Sequence, residues 1–158
     1  SKFRTLGDFF VRELRPEVRP IGDGVTSPAD AKIIQLGLIL EGVLLQVKGR
    51  EQGVQHLLRD SKLAKLYDGG YFVTFYLTPR DYHRVHSPVA GLITDSYYIP
   101  GKLWPVNTWS VANVANLYGV NERIVTVIQS DFGRVAVIMI GATNVGYIRL
   151  SYEDLVSN

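Results

Sequence analysis

Tyr76-Leu-Thr-Pro-Arg-Asp-Tyr-His-Arg-Val-His-Ser-Pro88 holds two of the chain's three histidines, His83 and His86, between Pro79 and Pro88. Each proline fixes its own φ and pushes the residue before it toward extended geometry. The segment is therefore expected to run extended. Side chains three apart in an extended chain point to opposite faces. His83 and His86 should then serve different environments, unless a bulge or turn intervenes. The plain alternative is a pair of half-buried strand histidines with one hydrogen bond each and no chemistry. Arg80, Asp81, Tyr82 and Arg84 around the pair argue against it. A strand chosen for stability would carry Val, Ile and Thr instead. Histidine is also the side chain that gives and takes protons near neutral pH.

Working outward, Tyr71 to Leu77 reads as a strand feeding the histidine segment, and Gly91 to Ile99 as a strand leaving it. Arg123 to Gln129 and Arg134 to Ile140 flank Ser130-Asp131-Phe132-Gly133 as a hairpin, and Val145 to Leu150 adds a strand. Lys102 to Gly119, with Trp104 and Trp109, reads as irregular, its indoles packing the loop onto the core. Upstream, Ser27-Pro-Ala-Asp30 is a turn delivering an acid at the mouth of a strand, Ala31 to Leu36. Leu38 to Leu40 and Val43 to Val47 flank Glu41-Gly42, a hairpin signal, and Lys48-Gly49 closes it. Val54 to Leu58 and Lys62 to Tyr67 read as short helices stopped by Asp68-Gly-Gly70, with His56 on the surface.

Thr5 to Leu14 has apolar residues at helical spacing, Thr5 as cap, Asp8 three residues on and Pro16 as the stop. It reads as a helix docked on the core; its arginines (Arg4, Arg12, Arg15, Arg19) also suit a lipid surface. The fold expected is α+β and β-rich. Mainly antiparallel strands form a sandwich-like core, with short helices at one edge and an amino-terminal amphipathic helix, as a single domain over 1–158.

With 46% apolar residues, 158 residues suffice for a core. A net charge of +2 is too weak to argue for nucleic acid but suits anionic lipid or an acidic substrate. The absence of cysteine excludes disulfides, thiolate metal sites and thiol nucleophiles. No signal peptide and no apolar run near bilayer length is present.

Read together, these pieces resemble the phosphatidylserine decarboxylases, a pyruvoyl-dependent family. The matching stretches are Phe9-Phe-Val-Arg-Glu-Leu-Arg-Pro16 with Arg19-Pro-Ile21, Pro28-Ala-Asp30, Lys48-Gly49, and Phe72 through His86. Further on come Pro100-Gly-Lys-Leu103, Val106-Asn107, Asn121-Glu-Arg123 and Val137 to Gly146. Tyr-His-Arg-Val-His in this order is the most specific of them. Ala31 stands where the family has glycine.

The resemblance implies a zymogen that cuts itself at a Gly-Ser bond and converts the serine into a pyruvoyl group. Asp30 and His86 match the acid and base of that cleavage, by the logic of any base-activated hydroxyl. His83 matches the residue assigned to decarboxylation. There a Schiff base to the pyruvoyl ketone lets phosphatidylserine lose CO2 to give phosphatidylethanolamine. The resemblance thus implies a lyase of phospholipid biosynthesis, peripheral to the membrane surface at the cytoplasmic face of the cell membrane. It also favours a dimer, of which a homodimer of heterodimers is one form; no resident metal and no nucleic-acid partner are expected.

No Gly-Ser dipeptide occurs in the chain. The pyruvoyl cofactor is therefore expected on a small (alpha) partner subunit, this chain being part of the larger (beta) subunit and inactive by itself. Exposed apolar surface is expected at the amino-terminal helix and where the missing strands belong.

Two other classes remain open. A metal hydrolase could use Asp30, His83 and His86 as ligands, although three-apart spacing and the nearby Arg80 and Arg84 suit a cation poorly; stoichiometric zinc in purified protein would favour it. A non-catalytic β-sandwich binding lipid or a partner through Trp104 and Trp109 is the other. Its mark would be a protein that stays intact and ketone-free once the Gly-Ser-containing region is supplied.

Overall fold

A computed structural model describes residues 3–46 and 50–158. The fold is α+β, with two antiparallel sheets and short helices. The element order is α1 (Leu6–Phe10), a 3-10 turn (Pro16–Val18), β1 (Lys32–Leu40), β2 (Val43–Gln46), β3 (Arg50–Gly53), α2 (Val54–Leu58) and α3 (Ser61–Lys65). It continues with β4 (Tyr71–Tyr76), β5 (Leu92–Ile99), α4 (Thr108–Asn113), α5 (Leu117–Val120), β6 (Arg123–Ser130) and β7 (Gly133–Ile140). Among the described residues one sheet has the order β3-β2-β1-β4 and the other β5-β6-β7. The chain forms two compact units, one from 1–36 and 73–90, the other from 37–72 and 91–158.

The second unit holds the main core. Ile39, Leu44, Val54, Leu57, Leu58, Ala64, Ile99, Val125 and Val127 pack together, with Phe72, Tyr97 and Ile138 against them. β6 is buried from Arg123 to Ile128 because β5 and β7 pair with it on both sides in continuous antiparallel register, apart from a shift at Ile93/Asp95. The β1–β2 hairpin turns at Glu41-Gly42, where both residues take positive φ, 53° and 72°. That is the geometry a two-residue turn between right-twisted strands requires. At the start of β6 the fully buried Arg123 donates to the carbonyls of Leu57, His56, Gly119 and Asn121 at 2.6–3.0 Å. Desolvation lowers its pKa to about 10.

Several boundaries differ from the expectations. The first helix ends at Phe10, and Pro16 opens the 3-10 turn instead of stopping a helix. Its Thr5–Asp8 capping box forms as expected, but it buries no side chain and Leu6 is 82% exposed, so it does not dock through an apolar stripe. Gly37 leaves β1 unbroken: a Cβ there would stand 3.1 Å from the Phe72 ring. β3 was not anticipated, and the expected closing pair Lys48-Gly49 lies outside the described residues. The supposedly irregular 102–119 contains α4 and α5, α4 being capped by Asn107, whose Oδ1 accepts from the Ser110 N–H at 2.8 Å. No strand forms over 145–150; only isolated bridges occur, Ala142 to Val145 and Arg149 to Val156. Trp109 is 62% exposed, contrary to a packed indole.

Candidate active site

All three candidate residues lie in the first unit. Its histidine segment is set by a turn. Asp81 N–H donates to the Thr78 carbonyl at 2.9 Å, and Thr78 N–H to Asp81 Oδ2 at 2.6 Å. Pro79 sits second in this turn, where its fixed φ belongs. From Tyr82 to Ser87 the chain has no regular structure. Its backbone is tied instead to the stretch before β1. His86 N–H donates to the Pro28 carbonyl at 2.8 Å, and Thr26 N–H to that of Pro88 at 2.8 Å. This joins the Ser27–Asp30 turn to the histidine segment. Arg84 fastens the other side, its Nε donating to the Val11 carbonyl at 2.7 Å and its Nη1 lying 3.0 Å from Glu13 Oε1.

The two imidazoles have different neighbours. His83 is half-buried, its ring centroid 3.8 Å from that of Phe10. Its Nδ1 lies 2.9 Å from the Asp81 carbonyl. A carbonyl only accepts, so Nδ1 carries the hydrogen, leaving Nε2 to take or give a proton. His86 is exposed and stacks on the buried Tyr82 with centroids 5.6 Å apart. Its Nε2 is 3.2 Å from the Tyr82 hydroxyl, and either atom can donate.

The His86 backbone bonds to Pro28, two residues before Asp30, yet no hydrogen bond links the Asp30 and His86 side chains among the described residues. Its carboxylate is held by Arg19 instead. Nε donates to Oδ1 at 2.9 Å and to Oδ2 at 3.1 Å, and Nη2 makes a short bond to Oδ2. The Arg19 hydrogen bonds hold the Asp30 carboxyl below its ordinary value against desolvation, helped by the charges of Arg19, His86 and Arg12. At Ala31 the backbone stays out of the positive-φ region, so the methyl group in place of a glycine is accommodated without strain there.

Sequence reasoning placed Asp30, His83 and His86 but missed three neighbours: Arg19, Phe10 and Tyr82. Arg19 stands out in the sequence as part of a basic patch and of a matching stretch, but no spacing rule connects it to Asp30, since both lie in non-repeating chain. Tyr82 and Phe10 appear in the matching stretches, with nothing in the sequence to pair them with a particular histidine. Among the described residues no group of three or more His, Asp or Glu is arranged to hold a metal ion.

The arrangement offers a carboxylate held toward its ionised form, an exposed imidazole whose charge acts on it, and a second imidazole with a fixed tautomer. Comparison with known proteins gives this set a context. The family model described as phosphatidylserine decarboxylase matches residues 6–157. A "phosphatidylserine decarboxylase proenzyme" of Brevibacillus brevis is 45% identical over 163 residues, covering 100% of this chain and 58% of the relative. The proteins of that name from an Anaeromyxobacter species and from Vibrio cholerae are each 46% identical, over 98% and 99% of this chain and 56% of their own length. The chain thus spans little more than half the length of these relatives.

Proposed function

Since the chain belongs to the phosphatidylserine decarboxylase family, we propose that it supplies the acid–base residues of an enzyme that removes CO2 from phosphatidylserine to give phosphatidylethanolamine. In this reading a serine of a further segment is converted to a pyruvoyl group, and the segment becomes a small partner subunit. The relatives' name, proenzyme, supports a cleaved precursor.

In the cleavage, His86 takes the proton of that serine's hydroxyl as its oxygen attacks the preceding carbonyl. The ionised Asp30 offsets the imidazolium charge. When bound, the pyruvoyl ketone supplies an electron sink for the substrate's amine-bearing carbon. The donor set fits such a group: it contains an imidazole with one nitrogen tied down and the other open, as a proton carrier must have. His83 gives the proton at its Nε2 to the carbon from which CO2 departs, and solvent replaces it. The single observation that carries the division of labour is the separate seating of the rings, His83 on Phe10 and the Asp81 carbonyl, His86 on Tyr82.

No helix among the described residues is long and apolar enough to cross a membrane. In this proposal the enzyme meets lipid at a surface, through α1, as a peripheral protein of the cytoplasmic face.

The test uses the full-length proenzyme. Asp30→Ala and His86→Ala should leave it uncut. His83→Ala should be cut normally and then lose decarboxylation by about 100-fold or more, the usual worth of a positioned acid. Gel analysis reports the first step and released CO2 the second. Equal loss of cleavage in both histidine variants would defeat the division.

A further inference from the structure

We propose that Arg19 is a positioning residue for self-cleavage, aiming the Asp30 carboxylate so that its remaining lone pairs face His86. This rests on the reading of Asp30 and His86 as the cleavage acid and base. Among the described residues Arg19 provides the only hydrogen bonds that reach the Asp30 carboxylate. They come from one edge of the guanidinium and fall on both oxygens, which fixes the plane of the carboxylate as well as its place. Each oxygen accepts two hydrogen bonds; Oδ2 takes both of its own from Arg19, so the grip leaves acceptor capacity on Oδ1.

Arg19 is itself held. It follows the short 3-10 turn Pro16–Val18 and precedes Pro20, which limit its backbone, and its Nη1 donates to the Val18 carbonyl at 2.9 Å. The His86 N–H bond to Pro28 brings the base to the same turn, two residues from Asp30. Without Arg19 the carboxylate would keep its place in the chain but lose its orientation, and the imidazolium formed at His86 would meet a rotating partner. The charged groups acting on Asp30 are Arg19, His86 and Arg12. Removing Arg19 therefore also moves protonation of Asp30 to higher pH.

The experiment follows self-cleavage of the full-length proenzyme against pH in wild type, Arg19→Ala, Arg19→Lys and Asp30→Ala. Arg19→Ala should slow cleavage roughly tenfold or more, of the order that loss of orientation brings, and shift the acid limb of its rate profile upward. Arg19→Lys should restore the acid limb more fully than the rate, because an ammonium returns the charge without the two-point grip. A carbon NMR titration of the Asp30 carboxyl in the full-length proenzyme with its cleavage serine replaced by alanine, with Arg19 against Arg19→Ala, gives a readout independent of processing. It should show the carboxyl titrating higher in the variant. Wild-type rate and pH profile in Arg19→Ala, or faster cleavage, would overturn the inference, the latter marking Arg19 as a brake. So would an unchanged Asp30 titration in Arg19→Ala. Normal cleavage in Asp30→Ala would instead remove the underlying reading of the acid, whatever Arg19 does.

Discussion

At the scale of single residues, charge is spent on backbone and on orientation more than on surface attraction. Arg123 has no carboxylate partner among its contacts and serves four carbonyls from a fully buried position. Arg123→Met would keep the bulk and strand those acceptors. Each unsatisfied buried group costs about 1–3 kcal/mol, so the variant should lose at least about 3 kcal/mol in urea unfolding followed by circular dichroism. A variant as stable as wild type would show the carbonyls finding other donors. Arg123 stands in the quoted Asn121-Glu-Arg123 stretch, yet its work could not be read there. Its partners at 56, 57 and 119 become neighbours only when α2 and α5 close over the start of β6. The same limit hid Arg19. Asp30 and the histidines could be named as candidates from the sequence, through the chemistry of imidazole and the matching stretches, whereas a guanidinium declares its purpose only through what it touches.

At the scale of elements, strands were legible where alternation and turn chemistry agreed. Glu41-Gly42 and Ser130 to Gly133 both form turns, and Gly133 takes the positive φ of 97° that its place requires. Short helices inside a polar stretch were not legible. α4 depends on one side chain, Asn107, and carries too few turns for a periodic signal. The expected strand over 145–150 has apolar residues, but only isolated bridges form there. α1 is the clearest case of an element whose role lies outside its own packing. A single capped turn cannot persist by propensity alone, and it leaves Leu6, Phe9 and Val11 exposed. Arg4 and Arg15 are exposed too, while Arg12 lies 4.5 Å over the Phe9 ring. α1 should therefore bind vesicles containing anionic lipid, with affinity falling as salt rises. Leu6→Asp should weaken that binding several-fold in a sedimentation assay. Binding indifferent to both changes would withdraw α1 from the membrane.

At the scale of the molecule, the two units are built by different means. Among the described residues only Tyr82 and Val89 of the buried apolar set belong to the first unit; the rest belong to the second. The first is joined by polar links: Arg19 with Asp30, Arg84 with Glu13 and Val11, His86 with Pro28, Thr26 with Pro88. Units with few buried apolar contacts open at lower free energy. Hydrogen exchange should be fast over the first unit and slowest along β6. Acid should widen the difference. The folded Asp30 titrates below its ordinary 3.8, so its contribution to stability is present above that value and fades as pH falls through the lowered one. The contribution is modest, because the pair is partly exposed. Uniform exchange across both units, unaffected by acid, would contradict this picture. The uneven distribution was not legible beforehand, since the overall apolar fraction says nothing of where burial falls.

The bond from His86 to Pro28 also bears on the order of synthesis. Residues 37–72 are made between the acid and the base, so a ribosome releases Asp30 well before its partner. A nascent chain stalled ahead of Tyr82 would hold Asp30 with no His86 for it to face. In the proposed reading the Asp30–His86 pair is therefore complete only after the 82–87 segment has been made and has returned to the Pro28 carbonyl.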